Sequence, residues 1–269
     1  MTSLNFIFER LWNIYTDVNP VAQDIYDLFI SEGENIVNDH IAIRTYNHPK
    51  IDIDSLARIF IKNGYEYKQS YNFEQKKLNA SHFEHKSDRN LPRIFISELR
   101  TEDCSDYLQS VIYQIVQNIP DEVLKSNDLI FAGNVWGTPS YKVYEALRSE
   151  SEYAAWVYYN GFCANHFTVS INHLKKYDSI VKVNSLLKEK GFKLNDSGGE
   201  IKGTPEELLE QSSIKADIIT GHFLEGDFDI TGCYYEFAKR YHDSDGSLYS
   251  GFIAKSADKI FESTDLYSK

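Results

Sequence analysis

The segment NDHIAIRTY, residues 38–46, decides how the rest of the chain is read. Ile41 and Ile43 alternate with His40, Ala42 and Arg44, the two-residue period of an extended strand with unlike faces. One face is apolar. The other offers an imidazole and, four residues on, a guanidinium, with only Ala42 between them. Lining a cavity, that face suits a metal ion or an acid; turned to water, it means little.

Working outward, IDIDSLARIFIKNGYEY reads as a helix with Leu56, Ile59, Phe60 and Ile61 apolar and Gly64 as its stop. YEYKQSYNF, ASHFEHKS and PRIFISEL follow as short alternating strands. The order is strand, helix, strand, strand, strand, and it recurs. ANHFTVSIN is a strand with His166 near its start, and YDSIVKVNSLLKEKGFKLN is a helix closed by Gly191, with Val181, Val183, Leu186 and Leu187 expected on its buried side. The glycine-rich SGGEIKGTPEELLEQ has no Walker spacing and is expected to form a turn capped by Thr204 before a short helix. SIKADIITGHF and GCYYEFAKRY then read as strands. Two βαβββ units, each opening on an Asn/Asp-His strand, amount to an internal duplication. Residues 1–37 read as two helices joined at DVNP, and residues 101–160 as a helical connector. The expectation is one α+β domain over 1–269, with 38–100 as the first unit and 161–269 as the second unit and tail.

With 269 residues, 42% hydrophobic and 14% aromatic, the chain can bury an ordinary globular core. A formal charge of -12 argues against nucleic acid or an anionic membrane as partner. No run approaches the roughly 20 apolar residues of a membrane span, and the N-terminal MTSLNFIFERLWNIYTDV lacks the pattern of a signal peptide. The three cysteines, Cys104, Cys163 and Cys233, are far apart with no CxxC pair, as in a reduced cytoplasmic protein.

The chemistry gathers on the first and last strands of each unit. The first unit offers His40, Arg44 and, in RIFISEL, Glu98; the second offers His166 and Glu236. Alternation puts His166, Thr168 and Ser170 on one face, and Tyr234, Glu236 and Ala238 on another. If the units pair about a pseudo-twofold axis, these faces meet. His40, His166 and Glu236 then make two neutral imidazoles and one carboxylate with coordination positions left open, the donor set of non-haem Fe(II) oxygen chemistry. The bland readings stand beside this one. A histidine in an apolar strand is commonly a hydrogen-bonded core residue, and Glu236 could pair with Lys239 or Arg240. Arg44 could be a surface ion pair worth little, or a fork on a substrate carboxylate. Recurrence at matching places in both repeats favours the metal. His82 and His85 fall on opposite faces of their strand, which disfavours a joint ligand role. The loop HDSDGS lacks the ligand series of a calcium site.

The ordered motifs DHIAIRT, SEYAAWVYYNGFCANHFTVSIN, QSSIKAD and YYEFAKR resemble the bacterial DUF1338 family. Its best understood branch comprises the iron-dependent 2-oxoadipate dioxygenase/decarboxylases, or hydroxyglutarate synthases. The resemblance runs from about His40 through GFIAKSADKIFEST and implies a vicinal-oxygen-chelate-like fold of two paired βαβββ units around a shared metal site, with added N-terminal and central helices. It implies metal ligation by His40, His166 and Glu236, and substrate contact by Arg44 as a catalytic residue, with His40 and His166 beside the substrate. It implies Fe(II), with Zn or Ni able to replace it in a purified sample, and a small anionic 2-oxo acid and O2 as partners. The leading reaction is 2-oxoadipate to 2-hydroxyglutarate plus CO2. Glu98, the repeat-mate of Glu236, is expected in a structural ion pair, with an extra-ligand role as the alternative, and Lys255 as a pocket residue. The chain is shorter than that branch, lacking an insertion after the glutamate motif. A metal-dependent hydrolase, lyase or isomerase, or a non-catalytic small-molecule binding protein, are the alternatives on such a fold.

Overall fold

A computed structural model describes residues 3–253. Helix α1 (Leu4–Val18) buries Ile7, Leu11 and Tyr15, one residue per turn. Pro20, whose missing N–H is no loss in a first turn, opens α2 (Pro20–Ser31). Strand β1 (Asn38–Tyr46) leads to α3 (Ile53–Lys62), where Asp52 accepts a hydrogen bond from the Ser55 N–H and Gly64, at φ +95°, ends the run. Then come β2 (Tyr65–Phe73), β3 (Leu78–His85) and β4 (Arg93–Leu99). The connector holds α4 (Asp106–Gln117), α5 (Asp121–Lys125), α6 (Tyr141–Glu150) and α7 (Glu152–Asn160). The second repeat runs β5 (Ala164–Ser170), α8 (Ile180–Glu189), β6 (Lys202–Thr204), β7 (Leu209–Ser213) and β10 (Glu236–Arg240), with β8 (Ile218–Phe223) and β9 (Gly226–Thr231) inserted as a separate hairpin.

The chain forms two compact units. One comprises residues 3–15, 42–165 and 218–230, with strands in the order β2-β3-β4-β1. The other comprises residues 16–41, 166–217 and 231–253, with strands in the order β6-β7-β10-β5. In the second unit Ser170 N–H donates to the Val37 carbonyl at 2.8 Å, which brings the start of β1 alongside β5. Strand β10 runs parallel to β5 and antiparallel to β7. Strand β1 thus changes unit after Ile41.

Three local expectations need correction. Val181 is 62% exposed. In α8 the buried positions are Ile180, Val183, Asn184, Leu186 and Leu187, because successive residues step 100° around a helix and Ile180 takes the inward place beside Val183. No short helix follows Thr204. Its hydroxyl accepts from the Glu207 N–H as a cap would, but Leu208 at φ +66° turns the chain back into β7, so the segment is a hairpin. SIKADIITGHF is likewise two strand pieces, ending in β7 and resuming in β8.

Candidate metal centre

The register of the second unit sets Glu236 of β10 opposite Thr168 of β5. With a side-chain period of two, the carboxylate shares a face with Thr168 and His166. His166 Nε2 lies 3.1 Å from Glu236 Oε2, and His40 Nε2 lies 3.6 Å from Glu236 Oε1. The three ligand atoms all lie within 4.8 Å of one another, and the three residues are buried. Donors about 2.1 Å from one ion stand about 3 to 4 Å apart. The separations therefore fit a common cation after small rotamer adjustment.

Glu236 has no exposed surface. Burial alone would push its carboxyl up; the facing His40 and His166 rings, with a bond from the Gln211 side chain, outweigh that and hold it below the usual carboxylate range. Gln211 Nε2 donates to Glu236 Oε1 at 2.5 Å, which orients the carboxylate. His40 Nδ1 meets Asp39 Oδ1 at 2.9 Å, and a carboxylate can only accept, so the proton is assigned to Nδ1 and Nε2 keeps its lone pair. Thr168 Oγ1 lies 3.0 Å from that Nε2. The His166 ring stacks on Tyr234 at 4.5 Å between centroids. A buried anion facing two imidazoles is the donor chemistry of a borderline divalent ion, iron and zinc included.

Asp39, Thr168 and Gln211 carry these contacts without having been assigned a role by sequence. Gln211 depends on the pairing of β7 with β10, which local pattern does not contain. Arg240 does not pair with Glu236; it forks onto Asp39 at 2.7 and 2.9 Å. Arg44 is 2% exposed, which removes the surface ion-pair reading, and its guanidinium carbon lies 5.0 Å from the Tyr153 ring and 5.1 Å from the Trp156 ring. Glu98 corrects another expectation. It belongs to no ligand cluster and no ion pair among the described residues; it accepts from the Ile53 N–H at 3.1 Å, at the start of α3. Burial raises its carboxyl, and it borders a cavity of about 590 Å³ with Asn47, Asp52, Ser70 and Asn79. Asp243 and Asp245 of the HDSDGS loop accept backbone N–H groups within their own turn. The three cysteines are buried and unbridged. Lys255 lies outside the described residues.

The fold is of the vicinal-oxygen-chelate type, and its strand-helix-strand repeats carry a two-histidine, one-carboxylate cluster. A family model described as 2-oxoadipate dioxygenase/decarboxylase matches residues 7–244, and the chain belongs to that family. It is 35% identical to the chloroplastic 2-oxoadipate dioxygenase/decarboxylase of Arabidopsis thaliana, over 96% of this chain and 76% of that one. Among solved structures, the hydroxyglutarate synthase of Oryza sativa in complex with 2-oxoadipate superimposes with a TM-score of 0.90 at 34% identity, covering 97% of this chain and 91% of that one. A Shewanella frigidimarina NCIMB 400 protein provisionally described as a hydrolase superimposes with a TM-score of 0.89 at 46% identity, covering 94% of this chain and 99% of that one. Among the described residues no helix is long and apolar enough to cross a membrane.

Proposed function

We propose that the protein is an Fe(II)-dependent dioxygenase/decarboxylase that takes 2-oxoadipate and O2 to 2-hydroxyglutarate and CO2. The observation that carries this is the convergence of His40, His166 and Glu236, buried and within 4.8 Å of one another, in a chain of the 2-oxoadipate dioxygenase/decarboxylase family. Both atoms of O2 are retained in 2-hydroxyglutarate, one in the carboxylate formed at the former keto carbon and one in the new hydroxyl, while CO2 leaves with the oxygens of the original 1-carboxylate, so no external reductant is needed.

His40 and His166 would hold the metal as neutral donors and Glu236 as the single anion. When bound, iron supplies Lewis acidity toward the 2-oxo acid and the redox capacity that side chains lack. The protein supplies shape and charge. Tyr234 stacks on His166 and Phe252 meets His40 edge-on, so both buried rings are packed in place and shielded from water. Arg44, four residues after His40 in β1, is assigned to orient a substrate carboxylate, which its planar fork suits. His40 and His166 border the acid as well as the metal. The unbridged cysteines support placing this reaction in the cytoplasm.

Anaerobic reconstitution with Fe(II), followed by O2 and CO2 stoichiometry over 2-oxo acids of different chain length, tests the proposal. One O2 consumed and one CO2 released per 2-oxoadipate is the expected outcome. The provisional hydrolase description of the Shewanella protein supports a second reading, in which the metal acts only as a Lewis acid. Turnover that persists without oxygen, or with zinc, would favour it.

A further inference from the structure

Several contacts converge on one guanidinium beside the candidate metal centre. Arg240 lies four residues beyond Glu236 on the same face of β10 and is 2% exposed. Its Nε donates to Asp39 Oδ2 at 2.7 Å and its Nη2 to Asp39 Oδ1 at 2.9 Å, a fork on a carboxylate. Its Nη1 donates to the Tyr249 carbonyl at 3.0 Å and the Gly251 carbonyl at 2.7 Å. The next residue, Phe252, sits under the guanidinium at 5.1 Å and edge-on to the His40 ring at 4.8 Å. Asp39 is 4% exposed and accepts a hydrogen bond from the His40 Nδ1–H at 2.9 Å.

A fully buried ion pair is costly to desolvate, and a neutral pair of similar volume often serves stability as well or better. Stability is therefore a weak reason for this one. Its geometry offers a stronger reason. Held at both oxygens by Arg240, the Asp39 carboxylate cannot rotate away from His40, and an imidazole whose Nδ1–H is so fixed presents Nε2 in one tautomer and one ring plane.

We infer that Asp39 and Arg240 are positioning residues for the metal: Arg240 locks Asp39, Asp39 locks the tautomer and plane of His40, and the same guanidinium ties residues 249–252 against the His40 ring. This rests on reading His40, His166 and Glu236 as metal ligands. A purely structural role for the pair would leave the ligand geometry of a folded variant unchanged.

The test is Co(II) binding by the full-length protein, titrated against a chromophoric chelator, with long-range 1H–15N spectra of the metal-free protein reporting the His40 tautomer. Asp39→Asn and Arg240→Gln are each expected to weaken Co(II) binding about 10- to 100-fold, to change its visible absorption, and to replace a single Nδ1–H form of His40 with a mixture. Arg240→Lys, which keeps the charge without the fork, is expected to recover little of the loss. Loss of binding in His40→Ala, with wild-type binding and an intact Nδ1–H form in Asp39→Asn and Arg240→Gln, overturns the inference and leaves the metal-site reading standing. Unchanged binding in His40→Ala overturns the metal-site reading itself. If Arg240→Gln strands Asp39 and does not fold, the double variant Asp39→Asn/Arg240→Gln removes both charges together and carries the same expectation.

Discussion

A carboxylate with no exposed surface is tolerated only when its charge is answered, and Glu236 is answered by two imidazoles and an amide. Glu236→Gln keeps the shape and removes the charge, so it is expected to fold, to lose metal retention and to abolish oxygen consumption. His40→Ala and His166→Ala should abolish turnover as well, measured by O2 electrode after Fe(II) loading. Arg44→Ala and Arg44→Lys should both lower kcat/KM for the 2-oxo acid by about 10- to 100-fold, the worth of a charge-assisted bond. Unchanged kinetics in Arg44→Ala would remove its assigned task. At this scale the sequence was partly legible. HIAIR and EFAKR each set a candidate ligand and a buried arginine four residues apart on one strand face, which alternation reveals. Asp39 was hidden by the same rule. Alternation assigns it to the face opposite His40, yet its carboxylate meets the adjacent ring.

Elements are held by contacts that the helical and strand periods do not encode. Glu34, 5% exposed, accepts the N–H groups of Lys175 at 2.7 Å, Lys176 at 2.6 Å and Tyr177 at 3.1 Å, fixing the loop that enters α8. Burial pushes its carboxyl up, but the three amides pull harder and leave it below the usual carboxylate range. A depressed carboxyl stabilises the fold fully above its unfolded value, and that contribution fades as pH falls through the folded one. Glu34→Ala is therefore expected to cost about 2 to 3 kcal/mol at neutral pH, and less in acid, by urea unfolding at pH 7 and pH 3.5. A second position tests backbone shape. Gly161 closes α7 at φ +69°, where an added Cβ would stand 2.0 Å from the Gly133 carbonyl oxygen. Gly161→Ala should destabilise by about 2 kcal/mol or more through that clash and the strained φ, seen as a lowered thermal midpoint. The helix stops at Gly64 and Gly191 were readable because φ beyond +80° there selects glycine. The β6–β7 hairpin was not, since its reversal rests on Leu208, a residue that rarely adopts a left-handed backbone.

Over the whole molecule, the proposed ligands and the tryptophan reporters separate cleanly. His40, His166 and Glu236 all belong to the second compact unit, while Trp12, Trp136 and Trp156 all belong to the first. A ligand that binds only the folded form stabilises it by about 2.7 kcal/mol at a hundredfold excess over its Kd. Chelating the metal is thus expected to raise hydrogen exchange within residues 16–41, 166–217 and 231–253 and to leave tryptophan emission nearly unchanged. Equal loosening of both units would contradict this, and His40→Ala should show no response to chelator. The duplication was visible in the sequence because element order is a local property. The compact units were not, because they follow which faces pack: residues 16–41 join the second repeat's strands, and residues 218–230 leave them.

That exchange bears on how the polypeptide can be dissected. A C-terminal fragment started at the repeat boundary would own two of the three proposed chelating side chains and no means of supplying the third. Adding back a synthetic peptide that spans residues 16–41 should complement such a fragment, and a peptide stopping short of His40 should not.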